Sequence, residues 1–306
     1  MNSMKSKYFM LKPINGLANR LRVLFSYKII ADYLKLPFYV YWTKSDGFDE
    51  TQLTDLISVS DLEFINEDVW NEYRPVSFQI DKRISGTSEF KLDSAKEKKS
   101  ESMANLLMNK TFTKITAEVS NLPNWSFNDV LVSKIPNHKK LYKELVRSLS
   151  VSNKVKTESQ QTLKLFDNDV IGVHLRFGDA MDSENPKHKL HTKNNLEKII
   201  DTCKNHPGKV FVSTDDQEVL EMFKNKLPNK LLFREKQFVQ SKLNAQKNGQ
   251  FDAMVDLYLL SQTDYMLPTS PSSFGKFASD VGGGLYKKFN NESFYNFNDY
   301  QTIITW

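Results

Sequence analysis

The sequence predicts an α/β protein built on parallel sheets. Short runs of branched apolar residues, such as Val170 to Leu175, alternate with segments of helical period. The chain opens as strand, turn, helix and strand. Three later strands each end in a burst of polar residues, as a ligand site at the carboxyl ends of a parallel sheet does.

The bounds agree with a globular protein. The chain has 306 residues, enough for roughly two domains. It is 40% hydrophobic and 26% charged, so it can bury a real core. A formal charge of +5 with pI near 8.9, and no long block of like charge, does not call for nucleic acid. A small anionic substrate suits the balance equally well. Cys203 is the single cysteine, which excludes an internal disulfide and points to a reducing compartment. No apolar run reaches bilayer length and no signal peptide is visible, so the expected location is cytoplasmic, without a membrane span, with a chain trimmed of its anchor as the alternative.

Lys7 to Ile14 reads as the first strand, and Asn15-Gly16 as a turn. Leu17, Leu21, Leu24, Phe25, Ile29 and Leu34 give a helix that Leu36-Pro37 stops. Phe38 to Trp42 is the next strand. One glycine at the turn does not make the G-x-G-x-x-G fingerprint of a dinucleotide site. By composition, Arg20 and Arg22 belong to a solvated helix face, with a phosphate-facing cleft as the alternative. Leu62 to Ile65, Val76 to Ile80, Ile115 to Val119 and Asp129 to Ser133 read as strands. Lys91 to Glu101 mixes both signs of charge and reads as a solvated helix or loop. Helices follow from Pro136 to Leu149, with Leu141, Leu145, Val146 and Leu149 on one face, and from Asn153 to Phe166.

In the second half, strands at Val170 to Leu175, Lys209 to Ser213 and Asp264 to Leu267 alternate with helices. The helices cover Lys193 to Cys203, Glu218 to Lys226, Phe251 to Gln262 and the stretch from Ser273, which Gly282-Gly283-Gly284 caps. The aromatic tail from Tyr286 to Trp306 reads as packing back on the first domain.

The three polar strand ends are His174 to Asp179, Thr214 to Asp216, and Thr269 to Ser273. In a parallel sheet they share one end. Arg176 offers a planar fork of donors to a phosphate. Ser272, Ser273 and the helix behind them form an anion site at a positive dipole end. The aspartates can accept from sugar hydroxyls or base N–H groups.

These pieces resemble the fucosyltransferase-like superfamily of the protein O-fucosyltransferases, the α-1,6-fucosyltransferases and the nodulation fucosyltransferase. The resemblance is carried by Gly16-Leu17-Ala18-Asn19-Arg20-Leu21-Arg22, His174-Leu175-Arg176-Phe177-Gly178-Asp179 and Ser213-Thr214-Asp215-Asp216. Val255 to Gln262 leading to Ser272-Ser273-Phe274 completes it, in the family's order. It implies a GT-B-like fold, two Rossmann-like domains facing across a cleft. The expected division is an acceptor-side domain over 1–150, a nucleotide-sugar domain over 151–285 and the tail over 286–306. The implied activity is inverting, metal-independent transfer of a sugar, L-fucose first, from a GDP-sugar to the hydroxyl of a glycan or other acceptor. The GDP-sugar is a substrate; no separate cofactor and no metal are implied.

Position by position, the resemblance gives Arg176 the β-phosphate, and His174 and Asp256 the guanine. Asp256 would take both N1–H and the exocyclic amine. Asp216 becomes a donor-binding aspartate. Ser272 and Ser273 lie near the diphosphate, Phe274 after them is a further substrate-binding residue, and Asn19 and Arg20 lie at the cleft. In the loop after Arg176, Asp179 orients that arginine and Glu184 is the general base. The second arginine of part of the family is Phe177 here, which removes one charge near the donor.

The D-x-D pattern Asp167-Asn168-Asp169 precedes a strand, so it falls at the end of the sheet opposite the three clusters and reads as an Asx turn. His188 and His191 have helical spacing but no third ligand for zinc. Two other classes are set beside the transferase. One is a binding module that keeps the nucleotide-sugar pocket without transfer. The other is a nicotinamide enzyme, against which the absent glycine fingerprint counts.

Overall fold

The computed structural model describes residues 7–14, 16–42, 51–58, 62–73, 89–93, 114–119, 135–176, 193–236, 249–268 and 273–282. The chain divides into two compact units, Met1–Thr54 with Ser58–Ser148, and Asp55–Ile57 with Leu149–Trp306. Each is built on its own parallel sheet.

In the first unit β1 (Tyr8–Pro13) runs into α1 (Leu17–Tyr33) and returns as β2 (Phe38–Val40). Helix α1 ends where Lys35 takes a left-handed conformation (φ 55°), two residues before Pro37. The short α2 (Leu53–Leu56) and β3 (Ile57–Ser58) lead to β4 (Glu63–Phe64), α3 (Glu67–Tyr73), β5 (Glu89–Asp93) and β6 (Lys114–Val119). The strand order is β4-β2-β1-β6-β5, with neighbouring strands parallel. Period-two alternation sorts β1 between two layers. Tyr8 and Met10 join Tyr39, Tyr41 and Trp70 in one core cluster. Phe9 meets Tyr27 of α1 and Phe38 edge to face, both at 5.8 Å.

Lys91 to Asp93, read from sequence as helix or loop, lie in β5. Among the described strands it is the last of its sheet, and an end strand tolerates the charges that misled the reading. Helix α4 (His138–Arg147) buries His138, Tyr142 and Val146, while Leu141 stays 42% exposed. Val146 is buried as expected, Leu145 and Leu149 are half-buried, and Tyr142 takes the inward place expected of Leu141. The expected strands at 76–80 and 129–133, and the tail from 286, lie outside the described residues.

The second unit begins with β7 (Ser150–Val151) and α5 (Asn153–Leu163). Ser152 caps α5 by accepting from Val155 N (3.2 Å), and its hydroxyl donates to Asp55 O (2.6 Å). Ser152 N also donates to Leu56 O, which fastens 55–57 to this unit. Then come β8 (Ile171–Leu175), α6 (Lys193–Asn205), β9 (Val210–Thr214), α7 (Gln217–Lys226) and β10 (Leu231–Leu232). Helix α8 (Gly249–Ser261), β11 (Tyr265–Pro268) and α9 (Ser273–Gly282) complete it. The sheet order is β10-β9-β8-β11, all parallel.

One face of this sheet, with Ile171, Val173, Leu175, Val210 and Val212, packs on Leu196, Ile199, Ile200 and Cys203 of α6 and on Val219 and Phe223 of α7. Burial pushes the Cys203 thiol up to about 12, so it is an inert core residue. The other face carries Gly172, where a Cβ would lie 2.7 Å from Thr263 Oγ1 and 3.1 Å from Leu260 Cδ2 of α8. Gly282 ends α9 rather than capping it, and its missing Cβ admits the Ser261 carbonyl of α8. Among the described residues no helix is long and apolar enough to cross a membrane.

Candidate functional site at the carboxyl end of the second sheet

The chain order reverses between β8 and β11: β9 and β10 step away to one side of β8, and β11 is added on the other. A parallel sheet has its natural crevice at such a point, outside the carboxyl ends of the strands. His174 is the penultimate residue of β8, paired in register with Ser213 of β9 and Pro268 of β11. It alternates with the core-facing Val173 and Leu175, so it projects to the face that carries α8 and α9. Its imidazole is buried and stacks on Phe274, with ring centroids 4.6 Å apart and 24° between planes. Ser273, one residue earlier, opens α9. Arg176 follows β8 directly and is exposed.

Ser213 connects this point to a buried ionic cluster. Its hydroxyl donates to Asp256 Oδ2 of α8 at 3.0 Å. The same oxygen takes Lys236 Nζ at 2.6 Å, and Oδ1 takes Arg234 Nε at 3.1 Å. Arg234 also binds Asp252 Oδ1 at 2.8 Å and lies 3.7 Å from Glu158 Oε1. The side chains of Asp256 and Arg234 are each 7% exposed, so these are desolvated pairs. Burial works to raise the Asp256 pKa, but Lys236 and Arg234 outweigh it and hold the carboxyl below its ordinary value. Burial likewise works to lower the Arg234 pKa, and Asp256 and Asp252 reverse it. Asp256 is therefore a fixed anion. A carboxylate has about four acceptor positions, and three are filled by Arg234, Lys236 and Ser213, which leaves one rather than the two that a bidentate guanine contact needs.

Beside the cluster opens a recess of about 10 Å³, lined by Val212, Thr214, Leu220, Phe233, Arg234, Lys236 and Asp256. That is space for roughly one water molecule. Asp216 stands at the same end of the sheet and caps α7, with Oδ1 accepting from Val219 N at 3.0 Å. Its other carboxylate oxygen has no hydrogen bond among the described residues.

The equivalent end of the first sheet holds Asn19 and Arg20. Arg20 is completely buried and its guanidinium sits 5.0 Å from the centroid of the Trp42 ring, which overturns the solvated helix face read from composition. Arg22, one turn position away, is only half-buried.

Residues 134–287 match the family model described as NodZ, Nodulation protein Z, which is just over half of the chain. The chain belongs to the NodZ family. Its fold recurs in fucosyltransferase NodZ from Bradyrhizobium, with a TM-score of 0.56 and 15% identity over 89% of this chain and 92% of that one. A variant of Arabidopsis thaliana FUT1 in complex with GDP gives 0.61 and 18% over 93% of this chain and 71% of that one. POFUT1 in complex with GDP-fucose gives 0.55 and 11% over 91% and 95%. At these identities the likeness establishes the fold: two Rossmann-like units of the GT-B type. No curated protein matches the sequence.

In this NodZ-family chain, the second unit brings together His174, Arg176, Asp216, Asp256, Phe274 and the start of α9 at Ser273. Asn19 and Arg20 belong to the other unit. Asp179, Glu184 and Ser272 lie outside the described residues. Sequence reasoning missed Arg234 and Lys236. Their signal was present: Leu231-Leu232-Phe233 is an apolar run followed by Arg234-Glu235-Lys236, the same apolar-then-polar pattern that marked the other strand ends. The D-x-D triplet lies at the opposite end of the sheet. Asp169 is left-handed (φ 66°), its carbonyl meets His206 Nε2 at 2.5 Å and its Oδ1 accepts from Tyr265 OH at 3.1 Å. Among the described residues no group of three or more His, Cys, Asp or Glu could hold a metal ion.

Proposed function

We propose that the protein is an inverting glycosyltransferase that moves a sugar, L-fucose first, from a GDP-sugar to an acceptor hydroxyl. The observation that supports this is the switch point of the second sheet, where His174 stacks on Phe274 in the first turn of α9 and Arg176 follows β8 directly. The fucosyltransferase NodZ and the GDP-fucose complex of POFUT1 support the choice of sugar, and the GDP complex of FUT1 supports the nucleotide.

The chemistry asked of these residues is limited. As the acceptor oxygen attacks the anomeric carbon from the face opposite GDP, negative charge grows on the β-phosphate. Arg176 supplies a fixed guanidinium there, and the N-terminus of α9 at Ser272 and Ser273 supplies backbone donors and a positive dipole end. These groups are the protein's own replacement for a divalent cation, so transfer is metal-independent. Asp179 orients Arg176, and Asp216 and Phe274 bound the donor. Glu184 takes the acceptor's proton. The second unit is the nucleotide-sugar domain, the first is the acceptor side with Asn19 and Arg20, and the enzyme works in the cytoplasm.

The first test is a thermal-shift panel of GDP, UDP, ADP and their sugars, with and without chelator. Saturation at ~100 times the dissociation constant raises stability by about 2.7 kcal/mol. GDP and GDP-fucose should shift the transition with chelator present. An equal response to UDP, or loss of the response on chelation, refutes the reading. The second test is Glu184→Gln, which should keep GDP affinity and lose about 10²–10⁴ in turnover. Normal turnover assigns the base elsewhere.

A further inference from the structure

We infer that α4 is a docking surface for an anionic lipid bilayer, held at headgroup level by Lys139, Lys140, Lys143 and Arg147. The inference is independent of the nucleotide-sugar reading and gives the protein a further partner.

Helix α4 (His138–Arg147) carries four cations and one anion in ten residues. The buried His138, Tyr142 and Val146 set its inner side. The helical period then places Lys139, Lys143 and Arg147 in a row along one edge of the outer side, with Lys140 next to that row. All four are exposed. Lys140 approaches Glu144 at 3.8 Å with both side chains more than half exposed, so that pair neutralises little. Lys139, Lys143 and Arg147 have no ion-pair partner among the described residues. Helices of the second unit are better balanced. In α7 two lysines face two glutamates, with Lys224 paired to Glu221 at 2.9 Å. In α6 three lysines face two acids, with Lys204 paired to Asp201 at 3.1 Å.

This arrangement works against the helix that carries it. Lys139 and Lys143, and again Lys143 and Arg147, are like charges four residues apart, which destabilise a helix. Lys139 and Lys140 stand in the first turn, at the positive end of the helix dipole, and no acid stands there to offset them. An external anionic surface removes that cost by neutralising the row. The row is open to solvent and spans about 12 Å from Lys139 to Arg147 at the helical rise. A line of exposed cations of that length suits a plane of many phosphates, not one phosphate in a pocket.

Leu141 selects lipid among the polyanions. It is 42% exposed on the other edge of the outer side, with Leu145 half-buried behind it. An aliphatic side chain has a place at the boundary of headgroups and acyl chains, and none against a phosphodiester backbone. The outer side of α4 also offers no aromatic or amide group to stack on a base or read its edge. The inner side is buried in its own unit, so the helix rests on the bilayer and does not enter it.

Co-sedimentation of the full chain with vesicles tests this, using phosphatidylcholine alone and phosphatidylcholine with about one-third phosphatidylserine. Wild type should bind the anionic vesicles on the order of a hundredfold more tightly than the neutral ones, and lose most of that binding between about 0.1 M and 0.5 M salt. The triple variant Lys139→Gln, Lys143→Gln, Arg147→Gln should weaken binding by about a hundredfold, at roughly fivefold per charge. The double variant Lys139→Arg, Lys143→Arg should bind as wild type does, and Leu141→Gln should weaken binding by about threefold. The triple variant relieves like-charge repulsion, so its thermal transition should lie at or above that of wild type. Equal binding of wild type to neutral and anionic vesicles overturns the inference without any variant. Undiminished binding of the triple variant gives the attachment to another surface and overturns it as well. So does an oligonucleotide that wild type and Leu141→Gln bind alike and as tightly as the anionic vesicles, since nucleic acid is then the partner. None of these readouts uses a nucleotide sugar, so a failure to bind GDP refutes the transferase reading and leaves this one standing.

Discussion

The two ends of the second sheet are both rich in polar residues, and they use them differently. At the amino end the polar groups close mostly on the backbone, with Tyr265 OH to Asp169 Oδ1 as a side-chain exception. His206 bonds the Asp169 carbonyl, Lys230 Nζ donates to Lys204 O (2.9 Å) and His206 O (2.5 Å), and Val170 N donates to Asp264 Oδ2 (2.9 Å). Gly208 lets Asp169 pack so closely that a Cβ there would lie 2.0 Å from its carbonyl oxygen. At the carboxyl end the polar groups bond one another: Ser213, Arg234 and Lys236 converge on Asp256, and His174 stacks on Phe274. Backbone partners are consumed in building the fold. A side-chain cluster at a topological switch point keeps donors and acceptors that a ligand can meet. A polar residue near a strand end is thus a weak sign of function until its partner is known to be main chain or side chain.

The largest test of that contrast is Asp256→Ala. It leaves Arg234 with Asp252 and the more distant Glu158, and takes from the half-buried Lys236 its carboxylate partner. Breaking such a pair costs about 3–5 kcal/mol, measurable in denaturant unfolding. The same interaction fixes a pH dependence. The folded pKa of Asp256 lies below its unfolded one, so its contribution is complete above the unfolded value and is lost as pH falls through the folded value. Asp256→Asn should therefore flatten the acid limb of the wild-type stability profile. A loss below about 1 kcal/mol for Asp256→Ala would mean that the cluster is solvated and the carboxyl end no more demanding than an ordinary surface.

Arg176→Ala sharpens the other half of the contrast. Arg176 is exposed at the end of β8, so its removal should leave stability within about 0.5 kcal/mol. Turnover with GDP-fucose should fall by about 10²–10³, the loss of one preorganised donor to developing charge. Near-normal turnover would move the stabilisation of the leaving group to another cation.

The pattern of buried strands made both sheets legible in the sequence, because Phe9 to Leu11 and Ile171 to Leu175 have little polar character to confuse with a surface. The position of His174, Arg176 and the Ser273 helix at one end followed from parallel topology alone. What was illegible has specific causes. Strand β10 has two residues, too few for any period, so the apolar-then-polar run from Leu231 to Lys236 was the one signal for Arg234 and Lys236 and was easily passed over. The fully buried Arg20 looked like surface because composition cannot show the Trp42 ring that it lies over. The saturation of Asp256 is a property of three side chains distant in sequence, at Ser213, Arg234 and Lys236, and no local pattern carries it.

The smallest effect is expected at the amino end, from Asp167→Asn and Asp169→Asn together. A D-x-D pair that held a cation on the diphosphate would lose about tenfold or more in donor binding when both charges go. Here the triplet precedes β8, with Asp167 exposed and Asp169 in a left-handed turn. Asparagine adopts that conformation as readily as aspartate, and its side-chain oxygen can still accept from Tyr265 OH. The carbonyl that meets His206 belongs to the backbone and is untouched. The double substitution should therefore change stability by roughly 0.5 kcal/mol or less, and leave GDP-fucose binding the same with and without chelator. Calorimetric titration decides it. A large loss of binding, or a chelator response that the double variant abolishes, would give the amino end a ligand of its own and break the contrast between the two ends.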